Sequence, residues 1–498
     1  MSELALFIVV LLAGWILGAV LLSRRGLGET RLHVFAFGPG LGLGLLGLVF
    51  FFFRWFLDRP PAPRELGGIG AGILLSCGVL RLRRVAALPE NRERKKDENP
   101  WWQLSSVMHC AAVLAAATAA TAFLIAVDKR PDGGWDGMVI WQMLARTIHR
   151  AGGSLEGVLD HFIIGHAGYP QNLPQQVAAF FTLQGSESLF FSHAVAFTYM
   201  LSTAAMVYAA VTRLSNRVTA AAAAALLLLT PYLSERAADL YADIPLAYFH
   251  VGAALVLATL CLRSAGPGLP AALGGFFLGM LPWTKNEGWI MAVLLLLVFV
   301  FLHGFAAEER RHLRRVLPGM VLGSVPPLAA LVLFKVTWAP PDPLMSKLDA
   351  ESFNHLFEAD RWRNVLLWFG NEVANGGDLL FKRSPGSHNP FLNRWASIWI
   401  GLLALVVVVT RKRRFLRRGP LRFLGLVVLL QLCAWFLLYV VIPTKQLFHL
   451  ETSLSRLLLQ ILPATIVLVC AAIPVGDAEK RREADPDGAA SQVEEGAA

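Results

Sequence analysis

Residues 107–127 read VMHCAAVLAAATAATAFLIAV, and residues 128–141 follow at once as DKRPDGGWDGMVIW. The first stretch holds no Asp, Glu, Lys or Arg. At about 1.5 Å per residue it reaches about 30 Å, the thickness of a bilayer's hydrocarbon core. Comparable runs recur near 3–23, 33–53, 66–80, 191–211, 218–234, 242–262, 268–284, 288–303, 316–338, 393–410, 421–443 and 456–474. The chain therefore reads as an all-α, polytopic membrane protein of about thirteen transmembrane helices. Composition agrees: 55% of the 498 residues are hydrophobic and 16% charged, against roughly 25% charged in soluble domains. A secreted globular enzyme is excluded. The net charge of +10 is scattered through short connections instead of forming one basic domain, which argues against a nucleic-acid partner.

The charges orient the chain. No basic residue precedes the first run and Arg24 and Arg25 follow it, so the N-terminus is expected outside and the C-terminus in the cytoplasm. Alternating from there, 27 of the 45 Lys and Arg fall on the inner side, in clusters such as Arg81–Arg84, Arg92–Lys96, Arg310–Arg315 and Arg411–Arg418. The inner clusters suit anionic lipid headgroups. Two outer segments, 128–190 and 339–394, are too long to be turns, and long loops on a rigid scaffold commonly carry function. The first contains an amphipathic helix, Trp141–Arg150. The second contains short apolar patches, Val365–Phe369 and Leu379–Phe381, suited to the interface. Residues 476–498 are polar with little to bury and read as a disordered cytoplasmic tail. Cys77, Cys110, Cys261, Cys433 and Cys470 all lie within spans, as small packing residues. No P-loop, strand-associated GxGxxG or zinc-ligand spacing appears.

Chemistry concentrates where outer segments meet spans. Asp128, Asp132 and Asp136 follow the fourth run, with Trp135 and Trp141 bracketing the last carboxylate. Asp136 reads either as the N-cap of the following helix or as a general base facing an outer groove. Gly133, Gly134 and Gly137 would let backbone approach a ligand. His161, His166, Tyr169, Pro170 and Pro174 describe a fixed irregular path, with a metal role for the histidines the less frequent case. Glu235, Asp239 and Asp243 recur at i, i+4, i+8, one face of a continuous helix, and such a row calls for a nearby cation. Asp243 alternatively opens the next span as a favourable first-turn acid. Lys285 and Glu287, between two apolar runs, either neutralise each other or leave Lys285 to meet a phosphate. Lys445, His449, Glu451 and Arg456 precede or open the last span, where a helix N-terminus favours anions; Arg456 reads as a phosphate clamp or a snorkelling arginine.

In combination, Trp135-Asp136, Tyr169-Pro170 with Leu173-Pro174, the Ala242–Ala247 stretch ADIPLA, the Trp283–Gly288 stretch WTKNEG and the Ser453–Gln460 stretch SLSRLLLQ resemble the multi-spanning glycosyltransferases of the C-type fold. More narrowly, they resemble the bacterial protein mannosyltransferase and aminoarabinose transferase group. The resemblance covers residues 101–475, leaving 1–100 as accessory helices and a basic loop. It implies a bacterial cytoplasmic membrane enzyme that takes a sugar from a polyprenyl-phosphate donor and passes it to a glycan, lipid or protein acceptor on the outer face, with inversion. Asp136 is then the catalytic candidate and Lys285 and Arg456 the donor-phosphate candidates. Trp135, His166, Tyr169, Asp243, Glu287 and His449 are substrate-binding candidates. The family's adjacent acidic pair is replaced by a single carboxylate in Trp135-Asp136-Gly137, so a divalent metal stays an open alternative with no ligand set assigned.

Two other classes compete. Charged residues among so many spans also suit an ion-coupled secondary transporter. A polymerase or ligase of lipid-linked oligosaccharide would share the large outer segments and cationic clamps.

Overall fold

The computed structural model describes residues 2–22, 31–62, 64–65, 68, 101–161, 166–261, 268–340, 351–375, 419–443 and 445–473. The expected spans at 66–80 and 393–410, Cys77, the patch Leu379–Phe381, the clusters Arg81–Arg84, Arg92–Lys96 and Arg411–Arg418, and the tail from 476 lie outside the described residues, as does the His161 side chain.

The described chain is helical throughout. Seven helices are long and apolar enough to cross a membrane, and a bent pair makes an eighth candidate. The chain is thus a multi-pass membrane protein in its fold. In order, α1 is Glu3–Leu22, α2 Arg31–Leu57, α3 Trp101–Lys129, α4 Met143–Ala151, α5 Asn172–Gln184, α6 Leu189–Leu214, α7 Arg217–Leu228 and α8 Pro231–Ala238. There follow α9 Asp243–Leu260, α10 Gly268–Thr284, α11 Gly288–Gly304, α12 Ala307–Thr337, α13 Ala359–Asn375, α14 Gly419–Val441 and α15 Gln446–Ala471. Helices α9 and α15 form the axis, each 94% buried over its most apolar window, while α3 is only 17% buried and presents its flanks outward.

Three departures from the sequence reading shape the site. The expected span at 218–234 is broken, α7 and α8 meeting at 54°. Pro231 is the cause: it excludes helical backbone at Thr230, which is extended at φ −76°, ψ 106°, and itself fits the first turn of α8. Next, the stretch read as an irregular path through Pro174 becomes a helix at Asn172, because proline within a first turn gives up an N–H that has no intrahelical partner anyway. That helix is no surface loop, since Asn172–Phe181 are all buried. Lastly, α15 starts at Gln446 instead of 456. Arg456 therefore sits about 15 Å along the helix, and the dipole argument for an anion at a helix N-terminus does not apply to it.

Buried polar bonds lock these helices. Asn172 donates to Thr284 Oγ1 at 2.9 Å, Gln176 donates to Asn172 Oδ1 at 2.7 Å, and the Tyr199 hydroxyl donates to Gln176 Oε1 at 3.1 Å. These links join α5, α6 and the end of α10, one residue before Lys285. Pro39 inside α2 leaves Phe35 O without its helical donor, and the Trp15 indole N–H supplies one at 3.2 Å. The Tyr248 hydroxyl of α9 shares its proton between Ala36 O and Phe37 O and accepts from Gly40 N. Helix α2 is thereby tied to the axial helix.

Candidate functional site

The site forms at the end of the bundle where α3 and α10 finish and α9 and α11 begin. The turn after α3 is built by glycine. Gly133 takes φ +84°, and Gly137 lies so close to the Asp239 carbonyl that a Cβ would stand 2.0 Å from its oxygen. Gly134 N donates to the same carbonyl at 3.0 Å. The glycines expected to admit a ligand instead admit their own chain, the Asp239–Tyr241 turn. Beyond them a π-helical turn, Gly137–Gln142, leads into α4, the observed form of the expected helix at Trp141–Arg150.

This clamp fixes Asp136. Its carboxylate makes no capping bond, which removes the N-cap reading. It accepts instead from Arg456 Nη1 of α15 in a direct ion pair, with Asp136 24% and Arg456 15% exposed. The pair is partly exposed yet screened far less than a surface bridge. The Arg456 guanidinium lies 5.3 Å from the centre of the Tyr241 ring, and Arg236 lies 5.1 Å from the same ring. Burial, then the Asp136 charge, pushes the Tyr241 phenol up from its ordinary pKa.

One turn along α15, Gln460 Nε2 donates to Asp243 Oδ1 at 2.5 Å. Lys285 Nζ reaches the same oxygen at 3.0 Å and Glu287 Oε1 at 3.1 Å. Asp243 and Lys285 are both almost fully buried, and two carboxylates around one ammonium hold it charged at a depth where a lone lysine would be costly. The opposed readings of Lys285 and Glu287 thus resolve to a triad with Asp243 and not a self-neutralised pair. The i, i+4, i+8 row is not a helical face: α8 ends at Ala238, Leu240 takes φ 62°, and Asp243 belongs to α9. Among the described residues three cations meet the row: besides Lys285 at Asp243, Asp239 meets Arg130 at 2.7 Å and Arg236 at 2.9 Å, and Glu235 meets Arg130 at 3.3 Å.

The other expected contacts disperse. Trp135, beside Asp136, is 67% exposed, while Trp141 is buried in the core. His166 stacks on Tyr169 with ring centres 4.4 Å apart, and Tyr169 packs on Trp141 at 5.8 Å. Lys335 pins that segment through the Gly168 carbonyl at 2.5 Å. His449 stands two turns before Arg456 on α15, its ring against Phe448. Trp141, Gln142, Leu173, Val177, Tyr241 and Pro245 line a small apolar cleft next to the ion pair.

Several site residues escape the sequence reading. Gln460 is readable only through its spacing of four from Arg456. Arg130 and Tyr241 have no local signature. Glu372 of α13 is buried and accepts from Ser455 Oγ at 3.1 Å, while Arg361 donates to Val440 O and Ile442 O at the end of α14. The second long segment therefore walls the site beside α15. Among the described residues no three His, Cys, Asp or Glu side chains are grouped as a metal would require. Comparison with family models, curated proteins and solved structures gives no match to this chain.

Proposed function

We propose that the chain is a membrane glycosyltransferase that moves a sugar from a polyprenyl-phosphate donor to an acceptor on the outer face of a bacterial cytoplasmic membrane. The observation that carries this reading is the Asp136–Arg456 pair, a partly exposed carboxylate held against a half-buried guanidinium at the end of a hydrophobic bundle. A lipid-linked donor leaves its tail among the helices and brings its phosphate to that level, so no nucleotide site is needed. Asp136 takes the acceptor's proton as the acceptor oxygen attacks the anomeric carbon. The bond from that carbon to the phosphate oxygen breaks on the opposite face, and the phosphate leaves with the electron pair, stabilised by Arg456. Inversion follows from that geometry. The C-type fold, the count of thirteen spans and the outward orientation are parts of the same proposal.

A transporter is the second reading, favoured by the buried Asp243–Lys285–Glu287 triad. Purified protein incubated with a panel of polyprenyl-phosphate sugars, with released polyprenyl phosphate as the readout, separates the two. Release supports the transferase, while solute flux in proteoliposomes without release supports the transporter.

A further inference from the structure

The two donor-phosphate candidates, Lys285 and Arg456, are already occupied by the protein's own carboxylates. Lys285 is held between Asp243 and Glu287, and Asp243 also receives Gln460. Arg456 is held differently. Its one direct carboxylate contact among the described residues is Asp136, made through Nη1, while its buried Nε has no hydrogen-bond partner. A guanidinium presents a planar fork suited to two acceptor oxygens, and here a single carboxylate oxygen fills part of it. The backbone of Asp136 is clamped through Gly134 and Gly137 onto the Asp239 carbonyl, so the pair opens by side-chain rotation alone. A base cannot accept a proton efficiently while its charge is neutralised by a guanidinium.

Resting on the transferase reading above, we propose that Asp136 and the phosphate of the lipid donor compete for Arg456, so that donor binding itself releases the base. In the free enzyme the pair caps both groups. When the phosphate takes the Nη1–Nη2 edge, Asp136 swings free toward the acceptor. When the product phosphate leaves, Asp136 returns to Arg456. The device ties base activation to the presence of donor.

The competition predicts a gain of affinity on removing a charge. Binding of polyprenyl phosphate to the full-length protein in detergent, with the matching polyprenol as control, is measured for wild type, Asp136→Asn, Asp136→Glu, Arg456→Gln and the Asp136→Asn/Arg456→Gln double variant. Asp136→Asn should bind the phosphate on the order of tenfold tighter, the scale of one charge-assisted hydrogen bond. Polyprenol affinity should not change, Asp136→Glu should return toward wild type, and the gain should vanish in the double variant. Should Asp136→Asn fail to fold, Asp136→Ser makes the same comparison. Wild-type phosphate binding with an unchanged or weakened Asp136→Asn affinity overturns the competition and leaves the transferase reading standing. Phosphate binding no stronger than polyprenol binding in every protein overturns both.

Discussion

Arg456 and Asp136, 320 positions apart in the chain, form a direct ion pair between the last described helix and the turn after α3. The pair closes the site, because it links the glycine-clamped turn to the axial helix that also carries Gln460. Its consequences extend from the proposed transfer to stability.

Removing the Lys285 charge should damage the fold more than the reaction alone requires. Lys285→Met leaves Asp243 and Glu287 without their cation, and breaking a buried pair costs about 3–5 kcal/mol. The thermal midpoint of Lys285→Met should drop sharply, and adding Asp243→Asn should recover part of the loss. Losses of Lys285→Met and Asp243→Asn that simply add in the double variant would show that the pair is not energetically coupled.

Gly137→Ala should disturb the site from behind. A methyl group there stands 2.0 Å from the Asp239 carbonyl oxygen, and overpacking of this kind costs about 1–3 kcal/mol. The turn that holds Asp136 must shift, so transfer should fall together with stability. Gly152→Ala is the contrast: it meets no neighbour within 4 Å but carries φ +68°, and should cost about 1 kcal/mol with transfer intact. Wild-type transfer in Gly137→Ala would contradict the clamp.

How much of this was readable beforehand depends on which forces set each feature. Apolar runs of about 20 residues report a membrane helix directly, so α2, α3, α6, α9, α12 and α14 were visible as spans. The break at Thr230–Pro231 carries a local signal in the proline, yet the apolar run around it continues the pattern of a single span. The buried helix α5 was hidden because Gln171, Asn172, Gln175 and Gln176 look like surface residues until Thr284 and Tyr199 are brought to them. Asp136, Lys285, Asp243 and Arg456 were legible as charges too costly to place idly. Their pairing was not, since helix packing decides which carboxylate meets which cation. Gln460 and Glu372 were missed for the same reason.

The connection between α5 and α6 should show a defined pH dependence. The Arg150 hydrogen bonds hold Glu187 below the usual carboxylate range. A carboxyl whose folded value is depressed contributes stability above its unfolded pKa and loses it as pH falls through the folded value. The acid-side decline of the thermal midpoint, beginning near the ordinary glutamate range, should be shallower in Glu187→Gln than in wild type. An unchanged slope would remove this bridge from the acid response.

The central claim is that Asp136 is the base of a transfer from a lipid-phosphate donor. The most direct test is the rate of polyprenyl phosphate release by wild type and by Asp136→Asn, each with donor and acceptor present and each confirmed folded by its thermal midpoint. Wild type should release polyprenyl phosphate, and Asp136→Asn should do so at least about 100-fold more slowly, the lower end of what a positioned base contributes. Equal release rates in the two proteins would contradict it.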